Sequence, residues 1–497
     1  MMVELRSSDR LRGPKALDVG PVLTSVLHAA RDGTADLSRL RVVCDWIQYK
    51  RSFREPIARR PILPSTFHTS QVSRNGNGNG ASESDAYELA IDLRRTKDGG
   101  LDDVLSAALN GTSAAGVYLE PWGPGTASCI WQFNSLYWRA LGLWEQATGR
   151  GYEQALPRGE SDSRNTAAAR DLILELFATW DALAKRRALP DELHVLELGV
   201  GNGNQAKVWL DEFLRLDRER GTDYYRRLHY LMGDYSPHVL ELARANVKEH
   251  SERVSGLVLD ATRPTETLGF LRYKAFLVYI SNVYDNLPTD EIVRLGGHLY
   301  RVEVRAFLPR ADAEKIAGEL GVAPESLPDL VARLLRLGPE LLAEASSDKF
   351  ADALAAVRFW QSVWEAVRLD EQYAPLEELD TYEIGPRIGG ELLRPIVEAN
   401  GDVRMHVSNG AAASFADTLA LLHPLGMLQC HDLFVTDLHQ YATGFRGPGK
   451  YDGSVVNWVN GPLLDSIGRR RGFDISLTPF AHRAGANVLT LTARVRD

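Results

Sequence analysis

Apolar runs that stop at a polar residue recur through the middle of the chain. The run at 195–198 leads into a turn with glycine at every second position, Glu197-x-Gly199-x-Gly201-x-Gly203. A second run, 230–234, ends in Asp234, and Ser236-Pro237 then opens a helix, with proline in the first turn where its missing N–H does no harm. A third run, 254–259, ends in Asp260-Ala261, and a fourth, 275–280, ends in Ser281-Asn282. A long charged helical stretch, 207–227, separates the first two. Strands that alternate with helices and each end in a polar residue predict a doubly wound parallel sheet with a site along one edge. A fifth strand, 426–430, ends in His431-Asp432, and 473–480 and 487–494 read as two last strands joined by a short Arg-Ala-Gly-Ala turn.

Elsewhere the period changes. Residues 311–345 and 347–370 carry apolar residues at i, i+3, i+4, with Pro and Gly breaks between, and predict helices; 402–407 reads as a strand. An insertion of this size between core strands implies a cap over the substrate. Residues 1–67 mix helical patterns with Arg-rich, Pro-punctuated loops, and 84–110 reads as helical. Between them, 71–82 is rich in Gly and Asn and reads as a linker, with a lid as the alternative. Residues 116–125 form an extended turn segment, followed by an aromatic stripe at helical spacing from Trp131 to Trp144 that serves as core or as a pocket wall.

The glycine turn narrows the chemistry. Alternate positions without Cβ atoms let a ligand approach the main chain closely, at the strand end where open α/β sheets bind ligands. The spacing is not the Gly-x-Gly-x-x-Gly of dinucleotide binding, which cradles a pyrophosphate at a helix N-terminus. Asp234 lies somewhat beyond the ~20-residue offset expected of an acid that holds ribose hydroxyls, and the long helix absorbs the excess.

These residues resemble the class I S-adenosylmethionine (SAM)-dependent methyltransferases. The resemblance implies an α/β fold: a doubly wound, mostly parallel seven-stranded sheet closed by an antiparallel hairpin, here with an N-terminal helical region and a helical cap insertion. It implies SAM as cofactor, with Glu197, Gly199, Gly201 and Gly203 at the methionine part, Asp234 at the ribose, Asp260 and Ala261 at the adenine, and Ser236 and Asn282 also among the cofactor-binding residues. A narrower likeness links Ile280-Ser281-Asn282-Val283-Tyr284-Asp285-Asn286-Leu287-Pro288 and Gly297 to Val304 to MidA-type methyltransferases, relatives of an arginine-methylating assembly factor. Val283 stands where that family has Glu, and Val200-Gly201-Asn202 replaces its Gly-Pro-Gly-Arg turn.

The 497 residues are too many for one ordinary core. The expected divisions are an N-terminal region (1–70), a linker (71–83), a helical substrate or lid region (84–189), the SAM-binding core (190–308), the cap insertion (309–424) and the C-terminal part of the sheet (425–497). A net charge of −9 disfavours a nucleic-acid partner. Three widely spaced cysteines suit a reducing cytoplasm, and neither a bilayer-spanning run nor a signal peptide is read. No oligomeric state follows.

Methyl transfer is an in-line displacement, and alignment alone can supply ~7–11 kcal/mol, so no conspicuous catalytic set is required. The catalytic candidates are Asp285, otherwise a helix cap, and His431, otherwise a satisfied core residue. His439, Tyr441, Arg446 and Tyr451 lie in a Gly-rich loop able to close on substrate. His423, His431 and His439 lack a carboxylate at ligand spacing, so no metal is expected. The substrate is a small molecule or a protein side chain. A SAM-binding scaffold without catalysis, and transfer of a different group from SAM, are the alternatives.

Overall fold

The computed structural model describes residues 2–5, 20–31, 40–45, 51–64, 86–95, 108, 116–151, 165–399, 401–443, 447–482 and 487–496. The linker at 71–83, Arg446 and the turn at 483–486 lie outside the described residues.

One sheet has seven strands. In chain order they are β1 (Leu193–Leu198), β2 (Leu228–Asp234), β3 (Val254–Val258), β4 (Ala275–Ser281), β5 (Leu422–Asp432), β6 (Phe473–Pro479) and β7 (Leu489–Val495). Their spatial order is β3-β2-β1-β4-β5-β7-β6. β1 to β5 are parallel, whereas β7 runs antiparallel to β5 and to β6. All six residues of β1 are buried, as expected of a central parallel strand covered on both faces. Helices Thr166–Lys185 and Asn204–Arg220 cover one face, packing Phe177, Trp180 and Phe213 against Val195, Tyr230 and Phe276. Helices Asn409–Thr418 and Gly461–Arg470 cover the other, packing Phe415 and Ile467 against Leu196, Val278 and Leu428. Chain order reverses between β1 and β4, and an open α/β sheet has its ligand crevice at the carboxyl ends of such a pair.

A second sheet corrects the expected N-terminal helical region and adds the strand Arg368–Pro375 to the one read at 402–407 in the insertion. Its strands are drawn from distant segments: Met2–Leu5, Leu40–Asp45, Ala86–Asp92, Ile57–Ile62, Arg368–Pro375, His298–Leu308, Glu291–Leu295 and Val403–His406, in that spatial order, with the short strands Val117–Tyr118 and Gly123–Pro124 also paired to His298–Leu308. Thus 86–92, read as helical, is a strand. Glu291–Leu295 and His298–Leu308, assigned above to the cofactor core, form a hairpin that pairs with strands of the insertion. The physical reason is visible in the side chains. Arg60, Glu88, Glu291, Glu371 and Arg404 are buried in these strands, so charge occupies positions where apolar residues would have revealed the period. Arg60 pairs with Glu88 (2.5 Å) and Glu371 (2.5 Å), and Arg404 pairs with Glu371 (2.9 Å) and Glu291.

Helices Arg310–Leu320, Leu327–Ala345 and Ala353–Ala366 stand where the insertion was read as helical, with a break at Gly338 (φ 79°) before Pro339. They pack against helices Cys129–Arg139 and Leu141–Thr148. Trp144 meets Trp360 at 4.6 Å between ring centroids, and Phe133 meets Trp364 at 5.7 Å. Trp131, Phe133, Tyr137 and Trp144 are all buried, so the aromatic stripe is core. This second unit lies against the first: Asn134 Nδ2 donates to the carbonyl of Asn286 beyond β4 (2.9 Å), and a Cβ on Gly142 would meet His238 Nε2 at 3.0 Å. Among the described residues no helix is long and apolar enough to cross a membrane.

Candidate functional site

The turn after β1 takes a left-handed backbone at all three glycines, with φ of 76°, 57° and 78° at Gly199, Gly201 and Gly203. Two of them are also closely approached. A Cβ on Gly199 would stand 2.3 Å from Val283 Cγ2, and one on Gly203 would stand 2.8 Å from Ala243 Cα. Only glycine meets both demands without strain. The turn folds toward the next strand: Gly201 N–H donates to Asp234 Oδ2 (3.2 Å), and Ser236 N–H donates to Oδ1 (3.0 Å). Burial pushes the Asp234 carboxyl up to about 6. The end of β3 joins them, since Leu259 N–H donates to the Asp234 carbonyl (3.0 Å). Asp260 is exposed, accepting from the Thr262 N–H and hydroxyl (both 2.8 Å), and Ala261 is half-buried beside it. Across the crevice, Asn282 adopts φ 52° and donates its N–H to the His431 carbonyl (2.9 Å). Gly199, Gly201, Gly203, Asp234, Asp260, Ala261 and Asn282 therefore gather along the carboxyl edge of the sheet.

Four other candidates lie behind this edge. Glu197 is 2% exposed and accepts from the Tyr230 hydroxyl (2.5 Å); burial raises its carboxyl to about 8, so it is protonated at neutral pH. Ser236 is fully buried, and its hydroxyl caps helix Pro237–Asn246 by accepting from Val239 N–H (3.2 Å). Its proximity to the site in sequence reflects that capping duty. Asp285 is buried and caps no helix. Its carboxyl accepts from Asn286 Nδ2 (2.7 Å) and is held well above the usual range, first by burial and then by Asp432. Asp432, which sequence reasoning noted only as the neighbour of His431, accepts from the N–H groups of Tyr284 (2.8 Å), Asp285 (3.3 Å) and Leu433 (2.7 Å). These bonds tie the segment after β4 to the end of β5.

His431 is 3% exposed, bonded through Nδ1 to Thr490 Oγ1 (2.9 Å) and set edge-on to Tyr279 and Phe480. Burial lowers it to about 4, so the ring is neutral and a weak base. In the Gly-rich loop, His439 is exposed, whereas Tyr441 is buried. Asp452 accepts from Tyr137, Trp144 and Arg150, and Lys450 donates to the carbonyls of Trp364, Glu365 and Val367. That part of the loop is packed on the aromatic helices. Among the described residues no three His, Cys, Asp or Glu side chains form a group able to hold a metal ion.

No protein-family model matches the chain. No curated protein matches it significantly in sequence. Solved structures give weak likenesses. A protein from Burkholderia thailandensis taken to be a methyl transferase, bound to S-adenosyl-homocysteine, is 14% identical over 79% of this chain and 91% of its own, with a TM-score of 0.46. A native structure of an uncharacterized protein from the same organism is 12% identical over 79% and 90%, with a TM-score of 0.44. The 1,6-didemethyltoxoflavin-N1-methyltransferase of B. thailandensis, with 1,6-didemethyltoxoflavin and S-adenosylhomocysteine bound, is 12% identical over 65% and 78%, with a TM-score of 0.26.

Proposed function

We propose that this protein binds SAM at the carboxyl ends of β1, β2 and β3 and transfers its methyl group to a nitrogen, oxygen or carbon nucleophile of a small molecule or protein side chain. One observation carries the reading. At the point where the sheet reverses its strand order, the β1 turn is glycine at each left-handed position and bends onto the carboxylate ending β2. In this reading the main chain of the turn would hold the ligand's amino-acid portion. Each Asp234 oxygen already accepts one N–H and retains a lone pair for a ribose hydroxyl. Asp260 and Ala261, after the end of β3, would take the base in this reading.

Bound SAM would supply a methyl group on a positively charged sulfur, a good leaving group without acid help. What the chain contributes is alignment and a surface shielded from water. The second unit bears on this edge through Asn134 and Asn286. The Asp285–Asp432 pair holds the segment after β4 in place rather than meeting the acceptor, since both are buried. A second reading, a nucleoside-binding assembly protein without catalysis, is favoured by that same burial of Asp285 and His431. Incubating the protein with methyl-labelled SAM and cell extract separates the two. Label in protein or metabolites supports transfer. Calorimetric binding of S-adenosylhomocysteine without label transfer supports the second reading, and no binding at all overturns both.

A further inference from the structure

A cavity of 210 Å³ opens between helix Thr166–Lys185 and the β5–β7–β6 side of the parallel sheet. Two of its lining residues lie within three positions of the candidate site in sequence. Gln205, which lines it, is the second residue of the helix that follows the glycine turn, and Tyr279, also on its wall, lies in β4 three residues before Asn282. Tyr279 stands beside Glu197 in the β1–β4 register.

The lining sets the ligand's chemistry. The Gln205 Oε1 atom is buried and has no hydrogen-bond partner, and such an acceptor is costly unless something donates to it. Tyr279, His431 and Phe480 offer ring faces and edges. The ionisable groups around them have partners. Asp171 pairs with His482 (3.3 Å) and Glu175 with Arg494, while burial keeps the His431 ring neutral. Asp171 and Glu175 are largely open to water, 69% and 44% exposed in their side chains, so the buried part of the lining is uncharged.

We propose that this cavity holds the methyl acceptor, a small uncharged ring molecule that donates a hydrogen bond to Gln205 through a hydroxyl or ring N–H. The proposal rests on the SAM reading above for the word acceptor, and on the cavity alone for binding. In the transfer, the acceptor's oxygen or nitrogen forms a bond to the methyl carbon, the carbon–sulfur bond breaks with its electron pair passing to sulfur, and the acceptor's proton leaves to water.

The test uses the full chain and ligand-observed NMR with phenol and indole as neutral donors, and benzoate and protonated benzylamine as charged controls. Phenol and indole should bind saturably and the charged pair should not. Ala168→Trp, which fills the cavity from the first turn of its helix, should abolish that binding while S-adenosylhomocysteine affinity by calorimetry stays within twofold. Gln205→Leu should weaken phenol and indole about fivefold, the worth of one neutral hydrogen bond. Absence of binding by the neutral probes, equal binding of the charged pair, or binding that survives Ala168→Trp overturns the proposal. Loss of S-adenosylhomocysteine binding in the wild-type chain instead overturns the SAM reading and leaves the cavity result standing.

Discussion

Asp234 and Glu197 are two acids whose carboxyls are both raised by desolvation, with different consequences. Asp234 keeps its carboxylate by accepting two backbone N–H groups, and burial raises it to about 6. A ribose hydroxyl donates best to the ionised form. Nucleoside affinity should therefore be full at pH 7.5 and fall as pH drops through about 6. Asp234→Asn should weaken S-adenosylhomocysteine about 10–100-fold, the worth of hydrogen bonds to a charged group, and flatten that pH dependence. Calorimetry at pH 7.5 and 5.0 checks both, and an affinity unchanged across that range removes Asp234 from the site. Glu197 makes a different prediction. Its folded value is about 8 against an ordinary 4.5, so between those limits the native state holds more protons than the unfolded chain. Stability contributed by the neutral acid is full below about 4.5 and is lost as pH rises to 8. Glu197→Gln keeps an oxygen for the Tyr230 hydroxyl and has no charge to bury. It should melt higher than the wild type at pH 8 and similarly at pH 4.5. Equal melting temperatures at pH 8 would count against a protonated Glu197.

At the scale of elements, the glycine turn depends on a segment more than 80 residues away, because Val283 occupies the space a Gly199 side chain would need. Gly199→Ala adds that clash to a left-handed backbone at φ 76°, itself worth about 1–2 kcal/mol. It should lower stability in urea and abolish nucleoside binding. Adding Val283→Ala relieves the clash and should recover part of the stability but not the backbone share. Full recovery would mean that the conformation imposes no strain. The turn, the strand ends and the capping Ser-Pro were legible in the sequence because each is local: glycine spacing, an apolar run and a proline act within a few residues of themselves. Whether Ser236, Asp285 or His431 also meets a ligand was not. A polar residue at a strand end or cap reads alike whether its side chain meets a ligand or a neighbouring backbone, and here Val239, Asp432 and Thr490 stand beside them.

At the scale of the whole molecule, the second sheet is held by buried charge. Arg404 is 1% exposed in its side chain and pairs with Glu371 and Glu291, while Arg54 and Arg60 close on Glu371 from other segments. Removing one partner leaves an uncompensated buried carboxylate, so Arg404→Met should cost about 3–5 kcal/mol in chemical denaturation. Burial also shields these pairs, so added salt should change the wild-type stability little. A loss below about 1 kcal/mol would show that the network relaxes or takes in water.

The amino-acid order alone determined the parallel strands, their polar ends and the glycine turn, because periodicity and backbone freedom are properties of short stretches. It also carried the helices of the insertion, whose apolar faces repeat at helical spacing. Tertiary structure alone decided the second sheet. Its strands come from four segments of the first 100 residues, from 117–124 and from 291–406, and their inward charges become intelligible only when opposite charges from other segments lie within hydrogen-bond reach. It also decided which polar residues face the crevice, since that depends on what each strand's neighbour places beside it.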